Sequence, residues 1–152
     1  DGEIDGFWAN GMGAEVAVTS GIAKCVLDVR RGDGPAAAFH FTQPALATTQ
    51  KLVDEKPEIA AGAVRAIVKT LEALKDDVSL ATKVAEKMFP AREAGLIATL
   101  IERDLPYYDA GLYEENVAGM NGFAQAAGLL EGEAVPFDDI VATQFRDLWR
   151  TP

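Results

Sequence analysis

The 152-residue chain predicts an α/β fold, a small parallel sheet followed by several helices. Three observations carry the prediction. Two short apolar runs, "IDGFWA" and "KCVLDV", bracket a helix-like segment from Gly13 to Ser20; a Phe- and Thr-rich stretch interrupted by proline follows at 38–49; and from Pro57 onward apolar residues recur at helical spacing. A strand, helix, strand unit with short connections favours parallel pairing with the helix on one face of the sheet.

Taken in order, the run from Ile4 to Ala9 is rich in strand formers and leads into the glycine-rich bend "WANGMG". The helix after it closes at Gly21, a residue suited to the left-handed position beyond a helix end. The second strand at 24–29 holds Cys25, expected as a buried thiol acting as a small hydrophobe. "RRGDGPAAA" is a loop, since Gly32, Gly34 and Pro35 interrupt any periodicity; Arg30 and Arg31, flanked by Asp28 and Asp33, read as a solvated strand end. In "AFHFTQPALATT", Pro44 removes a ladder donor and predicts a broken or edge strand.

Pro57 suits a first helical position, and Ile59, Ala63, Ile67, Leu71 and Leu74 then form one apolar face. A second helix starts at Asp77 or Ser79, buries Leu80, Val84 and Met88, and stops before Pro90. A third carries Leu96, Ile97, Leu100 and Ile101 and ends before Pro106. A fourth uses Val117, Met120, Ala124 and Ala127 with Gly128 at its end, and a last one lines up Phe137, Ile140, Val141, Phe145, Leu148 and Trp149.

Composition narrows the function. With 49% apolar residues the chain can fill a core, and a net charge of −10 gives a long-range field of the wrong sign for nucleic acid or an anionic membrane surface. No stretch reaches the length of a membrane span, and no signal-peptide pattern is present. The chain begins without methionine inside strand-like sequence, which predicts a mature product or a fragment. One His and one Cys form no metal cluster, so neither a metal nor a cofactor is expected; there is no phosphate loop and no serine nucleophile elbow. Glu114 with Glu115 and Asp138 with Asp139 point in different directions on a helix, which suits a solvated face and a helix start better than an acid/base pair.

In order along the chain, "GEIDGFWANGMGAEVAVTSG", "HFTQPALATTQKLVDEKPE", "AVRAIVKTLEAL" and "FDDIVATQFRDLW" together resemble the periplasmic solute-binding proteins of ABC importers, in the branch of thiamine-pyrimidine, nitrate, sulfonate and taurine binders. The resemblance covers nearly the whole chain but only the C-terminal portion of that family. It implies a type II periplasmic-binding-protein fold with 1–37 part of a second α/β lobe, 38–50 a crossover or hinge strand, and 51–152 a helical region packing on a first lobe whose sheet is largely missing. It also implies a non-catalytic, exported protein that captures a small organic solute in an interlobe cleft and delivers it to an inner-membrane ABC permease. The ligand-binding residues under that reading are Trp8, which can stack; Asn10, which can donate and accept; the amides of Gly11 and Met12; and His40 and Thr42 in the crossover strand. Tyr107, Tyr108 and Asp109 read as packing. Two alternatives remain open. Fungal-type pyrimidine synthases resemble the same binders but carry a cysteine-rich motif that Cys25 alone does not match. An acidic helical interaction module accounts for the helices without any cleft. Strands without neighbours further predict that the chain pairs with another copy as a homodimer, or aggregates.

Overall fold

Alanine, valine and glutamate after Met12 can all coil, and the first helix, α1, forms over Gly11–Thr19. The computed structural model describes residues 2–9, 11–36 and 45–150. Helix accounts for 62% of it, and no strand is present among the described residues, so the α/β, periplasmic-binding-protein-type fold and its small parallel sheet are not seen. The physical reason lies in what a strand needs. A helix satisfies its backbone internally, whereas strand propensity takes effect only when a neighbour supplies ladder bonds and cross-strand contacts. Neither apolar run has such a neighbour: Ile4, Trp8 and Val26 are 70, 76 and 92% exposed. Cys25 is likewise exposed, not a core thiol. The crossover strand at 38–50 falls for the most part outside the described residues; 45–49 are irregular, and Gln50 already opens a helix.

The described chain divides into two units. The first comprises 1–28 and 72–108. Its helices are α1, α4 (Ser79–Ala85) and α5 (Ala91–Asp104), the last followed by a 3-10 turn at Leu105–Tyr107. Both α1 and α4 pack on α5. The buried apolar positions are small, Ala17, Ala85 and Ala94, which lets backbones approach closely. Leu80, Val84 and Met88, expected as the buried face of α4, are instead exposed. Two residues ahead of Ser79, Asp77 turns the chain into this helix: its Oδ1 accepts from the Ser79 amide at 3.0 Å and from the Ser79 hydroxyl at 2.6 Å.

The second unit comprises 29–71 and 109–152. Thr49 caps α2 (Gln50–Glu55) by accepting the Leu52 amide at 3.2 Å. Pro57 then opens α3 (Pro57–Asp76), and steric conflict with its ring keeps Lys56 out of helical geometry and separates the two helices. Residues 72–76 of α3 belong to the first unit. The inward stripe on α3 is Ala60 and Val68, both buried, with half-buried Val64 between them, one position along from the predicted one, and Ile59 and Ile67 face solvent. Val53, Ala60 and Phe145 form the core, with Leu52, Ala61, Val64 and Leu148 packed around it.

Helix α6 (Glu114–Ala126) is followed by α7 (Phe137–Ile140) and a 3-10 segment at Thr143–Trp149. The single C-terminal helix expected from Phe137 to Trp149 is therefore broken: Val141 turns extended and buries its side chain. Arg146 lies between the Phe137 and Trp149 rings, 5.7 and 5.6 Å from their centroids. Gly21 and Gly128 act as expected. Each has φ near +70° (+72° and +68°), and in both cases the next residue's amide returns to the carbonyl five positions earlier, Ile22 to Ala17 at 3.2 Å and Leu129 to Ala124 at 2.8 Å.

Candidate functional site

The amino end of α1 brings together three of the residues predicted to bind ligand. Trp8 precedes the helix with its indole in solvent, while Gly11 and Met12 form the first turn and are half-buried. Helix geometry leaves the amides of a first turn without intrahelical acceptors, and the summed peptide dipoles add partial positive charge there. The first turn thus offers backbone donors for a polar or anionic group, and the exposed Trp8 indole precedes it by three residues in the chain. Asn10, His40 and Thr42 lie outside the described residues.

Behind that turn, α1 rests on α5. A side chain at Gly11 would point at Leu100 Cδ2, 3.6 Å away, an ordinary contact distance. One turn further on, Glu15 is buried, 6% exposed, and accepts a hydrogen bond from the Arg103 guanidinium. Arg103 is also held by Asp104, with Nε 3.3 Å from Oδ1. At the far end of α1, Arg92 donates to the Ser20 hydroxyl at 2.6 Å. The sequence reading missed Glu15: a carboxylate within "GAEVAV" is visible, but its partner lies 88 residues away and no local spacing announces it.

A second polar cluster forms ahead of α6. The Asp109 carboxylate accepts the Gly111 amide at 2.8 Å and the Tyr113 hydroxyl at 3.1 Å, and the Tyr113 amide donates to Asn116 Oδ1 at 3.0 Å. The hydrogen bond to Asp109, followed by desolvation and the same carboxylate's charge, raises the Tyr113 pKa above the ordinary phenol value. Asp109 thus does more than pack; the signal for it was an aspartate two residues before a glycine, a common side-chain-to-backbone turn.

The other candidates behave as ordinary surface groups. Arg31 pairs with Asp33 at 2.8 Å, both solvated. Glu114 and Glu115 open α6 and Asp138 and Asp139 open α7, where the helix dipole favours negative charge. No group of three or more His, Cys, Asp or Glu that could hold a metal occurs among the described residues. No described helix is long and apolar enough to cross a membrane. No protein-family model, curated protein or solved structure matches the chain.

Proposed function

We propose that the chain is the substrate-binding component of an ABC importer, capturing a small organic solute in the periplasm and handing it to the inner-membrane permease. The observation that carries this reading is Trp8, an exposed indole just ahead of the open first turn of α1. The ordered segments that resemble such binders support it. Stacking on Trp8 suits a heteroaromatic ring, and the amides of Gly11 and Met12 suit a carboxylate, sulfonate or nitrate oxygen. Capture makes and breaks no covalent bond, so the reading assigns no catalytic residue.

The test uses Trp8 itself as reporter. In a Trp149→Phe background, indole fluorescence is titrated with the thiamine pyrimidine, taurine and nitrate. The reading predicts a saturable change with one of them, and about tenfold weaker binding, followed by calorimetry, once Trp8 is replaced by alanine. No response to any of the three, or full affinity in the alanine variant, contradicts it.

A second reading, an acidic helical interaction module, is favoured by one observation: large apolar side chains such as Ile4, Phe7, Ile22, Val26, Met88 and Leu129 stand exposed on a helical protein. It predicts a stoichiometric protein complex and silence toward all three solutes.

A further inference from the structure

Resting on the solute-binding reading above, we infer that Glu15 and Arg103 are positioning residues for the amino end of α1: their ion pair docks this helix on α5 and so sets where Gly11 and Met12 present their amides. The inference starts from how little else holds α1. Ala17 is its one buried apolar residue among those described; Met12, Ala14 and Val16 are half-buried and Val18 is exposed. Apolar burial on that scale is a weak driving force. A nine-residue helix is also too short to persist in water without a partner.

Against that background Glu15 stands out as the buried charged residue of the described chain. A carboxylate withdrawn from water is tolerated only when paired, and Arg103 supplies the pair from α5. Arg103 is itself held, since Asp104 binds its Nε at 3.3 Å. The Arg92 to Ser20 bond at 2.6 Å ties down the other end of the helix. Two tethers from one helix, three turns apart, therefore fix the orientation of the other. Glu15 lies one turn from Gly11, and Gly11 packs toward Leu100 on the same helix α5. Loss of the ion pair releases the turn that carries the amides before it releases α5.

Hydrogen exchange on the full chain, without ligand, tests the docking. Glu15→Gln is expected to accelerate exchange of the hydrogen-bonded 15–19 amides about tenfold or more, while α3 and α6 keep their protection. Arg103→Gln should do the same, and Arg103→Lys, which keeps the charge, should recover much of the protection. If Glu15→Gln does not fold, the two Arg103 variants carry the comparison. Unchanged exchange over 15–19 in the Gln variants overturns the inference, as does equal acceleration in α4, α5 and α1 together. The positioning role is then read from affinity for the thiamine pyrimidine, taurine or nitrate. Weaker binding by Arg103→Gln in step with the loosened α1 supports it; equal affinity despite a loosened α1 overturns it. If the unaltered protein binds none of the three, the positioning role falls with the solute-binding reading, and the exchange result alone still decides whether the pair docks α1.

Discussion

Tyr113 and Asp77 show how single contacts tune single groups, in opposite directions. The phenol donates to Asp109 and so holds its proton more tightly. A folded-state pKa raised above the unfolded one contributes stability present below the ordinary phenol pKa and lost as pH rises through the raised value. Asp109→Ala should therefore bring one tyrosine's alkaline titration down toward the ordinary range, followed by ultraviolet difference spectroscopy; an unchanged midpoint contradicts the contact. Gly111→Ala should act the same way, because the new methyl would lie 2.6 Å from the Tyr113 hydroxyl and force it off Asp109. Asp77 is the reverse case. The Ser79 hydroxyl first, then the Ser79 amide, stabilise its carboxylate and lower its pKa. A depressed pKa gives stability present above the unfolded value and lost as pH falls through the folded one. Ser79→Ala should raise the Asp77 titration midpoint measured by NMR, and no rise would contradict the assignment. These contacts were only partly legible beforehand. Aspartates and glutamates at helix starts follow from local order along the chain, whereas Glu15 and Arg103 meet through tertiary packing.

At the scale of elements, the helices were readable where a start or stop residue marked them. Pro57, Pro90, Gly21 and Gly128 all sit at helix boundaries, because each acts through its own backbone geometry. Which face a helix buries was less readable. Stripes 59/63/67 and 60/64/68 on α3 have the same spacing, and Phe145, from a distant segment, selects the second. The strands at 4–9 and 24–29 failed for the same reason in stronger form: their stability would come wholly from neighbours. The last helix breaks at Val141, whose backbone is extended and whose side chain is buried. Two predictions belong here. Phe145→Ala should destabilise the protein by about 3–5 kcal/mol in denaturant unfolding, since it empties the centre of the second unit's core; a loss below about 1 kcal/mol contradicts that placement. Asn121 binds both the amide and the carbonyl of Val135, at 3.1 and 2.8 Å, and fastens the loop after α6 to the helix. Asn121→Ala should cost about 1–3 kcal/mol by the same measurement, with the 128–136 loop exchanging faster.

For the whole molecule, the proposed capture of a small solute rests on the amino end of α1 and the exposed Trp8 ahead of it. Of the six residues first singled out for it, Trp8, Gly11 and Met12 share one end of α1, a grouping that follows from their closeness in sequence. What could not be read ahead is the support beneath them on α5, which comes from the far half of the chain. The most direct measurement is therefore an amide-resolved NMR titration of the full chain with the thiamine pyrimidine, taurine and nitrate. The account predicts saturable shifts at Gly11, Met12 and Gly13 and at the Trp8 indole with one of these solutes. Saturable shifts confined to other elements, or none with any of the three, would contradict it.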